Sequence, residues 1–223
     1  MADTSKLIRY FEASGSGEEA RRMLDLAEQV VKGKPYRVCD FTSPAGLVIA
    51  DAIKAAYPEL LVQSYGGYEG AERIRIAFVD SHFQGTVDMG IVPLKVSWDP
   101  RFRLLNHRDV LGSLMGLRID RSKFGDIIMG QGGAQILVDS AVADFVVQNF
   151  TKIAMVAVSV TPMELDEIAP KEEKIKEVRT TVASLRLDSV ASSGFSVSRT
   201  KLVSAVNAGL LQVNWQPAKG PSQ

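Results

Sequence analysis

The sequence has one cysteine, Cys39, and two histidines, His82 and His107, in 223 residues. A single thiol excludes an intrachain disulfide framework and fits a reducing compartment. Its plain reading is a small buried apolar side chain ahead of Asp40. The histidines stand 25 positions apart, neither in a close His, Cys or Asp cluster, so no metal site and no cofactor are expected. No apolar run approaches the ~18 to 20 residues of a membrane span, and MADTSKLIRYFEAS at the N-terminus lacks the apolar core of a signal peptide. The expectation is a soluble, cytoplasmic protein with no membrane partner.

Net charge is also zero, but only in sum. From Arg179 to Gln223 five basic residues (Arg179, Arg186, Arg199, Lys201 and Lys219) meet one acid, Asp188, which leaves +4 there and −4 in residues 1 to 178. A basic end on a neutral chain is an electrostatic footprint for nucleic acid.

The length and 46% apolar content allow several small cores, and the pattern divides accordingly. Residues 1–85 read as an N-terminal α/β domain. Its clearest helix runs from Ser16 to Lys32, with Ala20, Met23, Leu24, Ala27 and Val30 inward and Gly33 ending it. A short strand follows at Tyr36–Phe41. Ser43-Pro44 then starts a helix over Leu47–Tyr57, and two strands, Leu60–Tyr65 and Arg73–Val79, are joined through Gly66–Gly70. That glycine loop lacks a Lys-Ser/Thr at nucleotide-loop spacing and precedes a strand, so it reads as a hairpin turn.

After the polar stretch 80–90 the pattern becomes strand (Ile91–Trp98), helix (around Val110–Leu117), two strands (Asp126–Met129 and Ala134–Val138), helix (Val142–Phe150) and strand (Lys152–Val160). This βαββαβ order over 91–160 is the ferredoxin-like arrangement of RNA-recognition motifs. The closing strand's apolar run suggests cover on both faces. Trp98 is the one aromatic in the two central strands, whereas base-reading motifs stack bases there. Any RNA contact should then come from edges and loops, with Arg101, Arg103, Arg108, Arg118, Arg121 and Lys123 as secondary candidates beside Phe102 and His107. Residues 161–179, with two prolines among dense mixed charge, read as a linker.

The last piece, 180–223, reads helix, turn, helix, strand. Arg186 and Asp188 fall in a first helix with Leu185 and Val190 as its apolar face and Gly194 as its left-handed end. Ser198 caps the second helix, Leu202 and Val206 form its buried stripe, Gly209 closes it, and Leu211–Gln216 alternates as a strand that Pro217 stops.

The order Arg186-Leu187-Asp188, Gly194, Ser198-Arg199, Lys201, Gly209, Val213-Asn214 resembles the small RNA-binding domain named after ribosomal protein S-four. The resemblance implies two helices on a small sheet, presenting basic side chains to structured RNA. The RNA-binding residues it suggests are Arg186, Ser198, Arg199, Lys201, Asn214 and Lys219. Asp188, a lone acid among cations, is expected to orient Arg186. The family pattern continues past the Val-Asn strand into a further strand, whereas this sequence ends at Gln223, so the expectation is either a sequence cut short or a reduced module.

Asp40-Phe41, Gly66-Gly67-Tyr68, Ala71-Glu72-Arg73, the run Asn106 to Gly112 and Gly125-Asp126-Ile127 complete the pattern. The whole chain resembles the YlmH family of bacterial RNA-binding proteins, whose cyanobacterial and plastid branch is called the photosystem-two S-four domain protein. The resemblance implies binding to rRNA and tRNA on the large ribosomal subunit in ribosome-associated quality control, with an older association with cell division; the chain is expected to be α+β, monomeric and without a DNA partner, and non-enzymatic for want of an acid/base or nucleophile constellation.

Two rival readings carry other chemistry. Pseudouridine synthases bear S-four modules, but Gly116-Leu117-Arg118-Ile119-Asp120 has an extra residue relative to their Gly-Arg-Leu-Asp motif, and the chain has no room for their catalytic domain. His107, Asp109 and Ser113 suggest a triad only superficially, since polar residues at a helix start are more simply caps. A cell-division or protein-interaction scaffold with incidental RNA affinity is the remaining alternative.

Overall fold

The computed structural model describes residues 4–101, 103–169, 177–213, 216–218 and 220–222. The chain forms two compact units, Met1–Lys171 and Glu172–Gln223.

The first unit opens with a helix that the sequence reading did not anticipate, α1 (Thr4–Ala13). Its Phe11 is buried, with Leu7 and Ile8 beside it in the N-terminal core. Then follow α2 (Gly17–Val31), β1 (Tyr36–Val38), α3 (Ala45–Ala56), β2 (Leu60–Tyr65) and β3 (Arg75–Asp80). Ala20, Met23, Leu24, Ala27 and Val30 are buried as their helical period requires, and Gly33 takes φ 103° just past the helix. At α3 the N-cap position is Pro44 and no side chain caps the start, so Ser43, a residue type suited to capping, does not cap it. The sheet order is β1-β3-β2 and both pairings are antiparallel. This part is therefore α+β rather than α/β. Cys39 is buried here, and desolvation pushes its thiol up to about 11.

The second half of the unit contains β4 (Ile91–Ser97), α4 (His107–Met115), β5 (Phe124–Gly130), β6 (Gly133–Asp139), α5 (Ser140–Asn149), β7 (Lys152–Ile153), β8 (Val156–Ala157) and β9 (Ser159–Pro162). The four-stranded sheet has order β5-β6-β4-β9 and is antiparallel throughout. Val110 and Leu114 of α4 and Ala143 and Val146 of α5 pack with Leu94, Val96, Ile136 and Val138 in one core, so both helices lie on one face.

Two expectations are corrected here. The continuous strand over 152–160 is instead a tight β7–β8 hairpin, with Ala154 at φ 52° and Met155 94% exposed, followed by β9 on the sheet edge. It is not covered on both faces, because Ser159, Thr161 and Pro162 of β9 are exposed and Val160 is half-buried. The linker expected from 161 begins inside that edge strand, where Thr161 pairs with Lys95 and Pro162 with Leu94. The chain then runs through a 3-10 turn at Leu165–Glu167, and the Gln135 amide holds it by donating to the Glu167 carbonyl (3.2 Å) and accepting from Ala169 N–H (2.9 Å). Its acids face water as those of any surface turn do, which is why composition alone read as linker.

The face of the sheet away from the helices is occupied by the N-terminal elements. Asp126 of β5 accepts from the Tyr68 hydroxyl (2.8 Å), Glu72 N–H (2.8 Å) and Arg73 N–H (3.0 Å). Arg73 in turn donates to the carbonyls of Phe124 (2.9 Å) and Phe41 (2.8 Å). Gly125 permits this approach, since a Cβ there would stand 2.7 Å from the Phe41 ring and 2.9 Å from Leu137 Cβ. Arg75, only 7% exposed, donates to the carbonyls of Cys39 (2.9 Å) and Gly90 (2.8 Å) and lies 3.4 Å from Asp139. The loop 66–74 is thus more than a hairpin turn: its backbone donors are aimed at β5.

In the second unit, α6 (Leu187–Gly194) and α7 (Arg199–Asn207) precede two short antiparallel strands, β10 (Gln212–Val213) and β11 (Gln216–Pro217). Pro217 lies in the second strand and does not end the first.

Replacing Asp126 by Ala leaves two backbone N–H groups without their acceptor and should cost about 3 kcal/mol of stability. A shift of the urea midpoint at unchanged slope checks it.

Candidate nucleic-acid interface

The basic end of the chain contains a preassembled cluster. Arg186 is the residue before α6 rather than part of it, and it donates through Nε and Nη2 to the two Asp188 oxygens at 3.2 and 3.3 Å. Asp188 is 8% exposed and Ser189 5%. Arg199, opening α7, donates to the Ser189 hydroxyl, which itself donates to Asp188 (3.3 Å). One acid therefore holds two guanidinium groups at the junction of the two helices. Hydrogen bonds from Arg186, with the nearby Arg199 charge, keep the Asp188 carboxyl below the usual carboxylate range. The expectation that Asp188 orients Arg186 matches this geometry. The start of α6 is tied further by Asp188 N–H to the Pro221 carbonyl (2.9 Å).

Ser198 caps α7 as expected, its hydroxyl accepting from Lys201 N–H at 3.3 Å, and Leu202 and Val206 are buried. Gly209 has φ 69° after the helix. The apolar face expected of α6 is corrected, because Leu185 is 90% exposed and Val190 44%. Ser196, with φ 54°, and not Gly194 holds the left-handed position between the helices. Lys201 is exposed but does not join the cluster, since two residues along a helix turn a side chain about 200° from Arg199. Asn214 and Lys219, the other expected contacts, lie outside the described residues, as does Phe102.

The six secondary candidates separate into three kinds. Arg121 and Lys123 are structural. Arg121 donates to the carbonyls of Phe124 (2.5 Å) and Gly125 (3.3 Å), and burial with the neighbouring Arg73 charge pulls it down to about 10, so it stays cationic at neutral pH. Lys123 bridges Asp40 (2.5 Å) and Asp139 (3.2 Å). Arg101 pairs with Asp99 (2.5 Å) and Arg103 with Asp109 (3.5 Å), both at the surface. Arg108 and Arg118 are exposed, with no acid pairing among the described residues. Lys152, which sequence reasoning passed over, is exposed at the base of the β7–β8 hairpin. The sole signal for it was position in a strand otherwise apolar.

Two of the rival constellations' acids, Asp109 and Asp120, are caps, whereas Ser113 ties α4 to the β7–β8 hairpin. Asn106 and Asp109 form a capping box at α4, the Ser113 hydroxyl accepts from Ala154 N–H (3.3 Å), and Asp120 accepts from Ser122 N–H (2.8 Å). Trp98 packs with the helix-covered core, so it does not supply an aromatic to the other sheet face. Among the described residues no group of three metal-ligating side chains converges, and no helix is long and apolar enough to cross a membrane.

Two measurements check this account. Ser198→Ala should cost the second unit about 1 kcal/mol and speed amide exchange at Lys201. Asp139 loses by burial, but the Ala141 N–H, Arg75 and Lys123 outweigh this and lower its pKa from 3.8. Its stabilisation is therefore complete above 3.8 and lost as pH falls through the lower folded value. Asp139→Asn should flatten the acid limb of the stability curve below about pH 4.

Residues 86–167 match a family model described as "Putative RNA-binding domain in YlmH". The matched stretch runs through β9 and the following turn, ending two residues before the Ala169 N–H that Gln135 holds. The "Ribosome-associated protein quality control protein P2" of Bacillus subtilis (strain 168) is 34% identical over 187 residues, covering 83% of this chain and 72% of the relative. The solved "Cell division protein ylmH from Streptococcus pneumoniae" superposes with a TM-score of 0.55 at 24% identity, covering 67% of this chain and 93% of that one, a likeness of fold. With a third of its residues shared over most of both sequences, the protein belongs to the YlmH family.

Proposed function

We propose that this protein is a non-catalytic RNA-binding protein that engages rRNA and tRNA on the large ribosomal subunit, in the cytoplasm and as a monomer, during ribosome-associated quality control. The observation that carries the reading is the Arg186–Asp188–Ser189–Arg199 cluster, in which a buried acid holds two exposed guanidinium groups beside the first turn of α7. Free N–H groups at that turn and the positive end of the helix favour a phosphate there. Structured RNA of A-form shape is recognised chiefly through phosphates and 2′-hydroxyls, so such a cluster supplies affinity with little sequence preference. The split βαβ strand order of the middle sheet is that of the ferredoxin-like arrangement, and the quality-control name of the Bacillus relative supports the ribosomal setting.

The name of the pneumococcal neighbour favours a second reading, a cell-division role. Co-sedimentation with large ribosomal subunits in graded salt separates the two. A ribosomal protein should travel with the subunits and leave along a linear plot of log K against log salt. Arg186→Ala with Arg199→Ala should flatten that slope by about 0.7 to 0.9 per lost phosphate contact. Unchanged affinity and slope in a folded double variant would reject the cluster as the RNA contact.

A further inference from the structure

A groove of about 620 Å³ lies in the N-terminal part of the first unit, within the ~300 to 1,000 Å³ that binding pockets span. One wall is α2, which contributes Glu18, Glu19, Met23, Asp25 and Leu26, and the other is the chain from Val38 to Phe41 with Ser122 beside it. The RNA-binding reading makes no use of this groove.

Its second wall is the edge of a sheet. β1 is an outer strand of the β1-β3-β2 sheet. Cys39 N–H donates to the Ile76 carbonyl (2.8 Å) and Asp80 N–H to the Pro35 carbonyl (3.0 Å), so Pro35, Arg37 and Cys39 turn their main-chain groups toward β3. By the alternation of an antiparallel pair, Tyr36 and Val38 turn theirs outward. The Arg37 guanidinium takes the Tyr36 carbonyl (3.2 Å), whereas the Val38 N–H and carbonyl have no partner among the described residues. Farther along, Thr42 N–H donates to Ile74 on β3 and Phe41 N–H to the Ser122 carbonyl, both at 2.8 Å. Ser122 therefore stands on the outward side of this segment. Because Ser122 also lines the groove, the groove runs along the open edge.

The charge of the walls is lopsided. Of their four acids, Glu18 is matched by Arg22 and Asp40 by Lys123 (2.5 Å). Glu19 accepts from the Thr42 hydroxyl, and Arg73, within electrostatic reach of it, directs Nε and Nη2 to main-chain carbonyls. Asp25 is exposed, with no cation on it among the described residues. Such a surplus repels phosphate, which makes nucleic acid the wrong occupant. Met23 and Leu26, three positions apart on the same side of α2, add an apolar strip.

We propose that this groove binds an extended basic segment of a partner protein, which joins the sheet as a new edge strand beside β1. A partner residue opposite Val38 exchanges two main-chain hydrogen bonds with it. Cys39 lies in the core that α2 covers, so Val38 projects to the other face of the sheet. The partner residue paired with Val38 shares that other face, and its neighbours on either side project toward α2. Those neighbours are lysine or arginine, with stems along Leu26 and charges at Asp25 and Glu19. β-branched residues suit the paired positions, since they favour an extended backbone.

The test uses the full chain and a short peptide of alternating lysine and valine, followed by amide NMR and hydrogen exchange. Binding should slow exchange at Val38. Methylating the valine nitrogens, which face β1, should abolish binding, whereas methylating the lysine nitrogens should leave it intact. Val38→Pro removes one donor at an edge position where proline is tolerated, and should weaken the peptide at least about tenfold without changing co-sedimentation with ribosomal subunits. Asp25→Lys, on the exposed side of α2, should weaken it roughly two- to tenfold. Equal loss on methylating either set of nitrogens would show that no strand is added, and equal binding of a glutamate–valine peptide would show that charge does not select the occupant. Either result, no binding of the lysine–valine peptide, or a short RNA duplex shifting the Val38 amide overturns the proposal. The RNA-binding reading is untouched by the peptide results, because it stands on Arg186 and Arg199.

Discussion

The carboxylate of Asp126 is the fixed point of the first unit. Two consecutive backbone N–H groups and a tyrosine hydroxyl from the loop 66–74 converge on it, and an ionised acceptor with several donors is among the stronger interactions available to a partly buried group. That loop cannot keep its conformation without an acceptor in this place, and β5 cannot approach Phe41 without glycine at 125. Arg73 and Arg75 extend the seam by donating to main-chain carbonyls on both sides of it. Because these donors are satisfied internally, the N-terminal helices and the middle sheet behave as one unit with two apolar cores.

This seam decides which cations remain for a partner. Arg121 and Lys123 lie in a basic stretch of sequence, yet their hydrogen bonds go to Phe124, Gly125, Asp40 and Asp139. A guanidinium or ammonium engaged in this way would leave unpaired acceptors behind if it turned outward. In the second unit the logic is reversed. A buried Asp188 holds Arg186 and Arg199 but neutralises only one of the two charges, and the guanidinium donors it does not use remain toward solvent. The same pairing chemistry thus closes one surface and presets another.

The helices, most strand positions and several caps were legible in the sequence, for local reasons. The apolar period of α2, the glycines after it and after α7, and the Ser198 cap each depend on a few neighbouring residues. The order of elements over 91–162 and the basic C-terminal end followed from patterns of the same kind. Less visible was α1, whose Phe11 is defined as core only by α2 and α3 packing on it. The β7–β8 hairpin was hidden because Ile153 and Val156 form an apolar run like that of a single strand, and only the left-handed Ala154 turns it.

What the sequence by itself determined is the set of parts: an α+β chain with one buried thiol, its charge gathered at one end, and an Arg-x-Asp with a capped helix after it. The tertiary structure alone decided the use of those parts. It placed β9 and the turn after it on the sheet, where composition suggested a linker, because Gln135 offers the donor and acceptor that the chain at 167 and 169 needs. It also chose among the six candidate arginines and lysines of the middle segment, since the acceptors that claim Lys123 are Asp40 and Asp139, brought near by folding and not by sequence. Periodicity and capping report interactions within about a helical turn, whereas the availability of a charge depends on every group the fold packs around it.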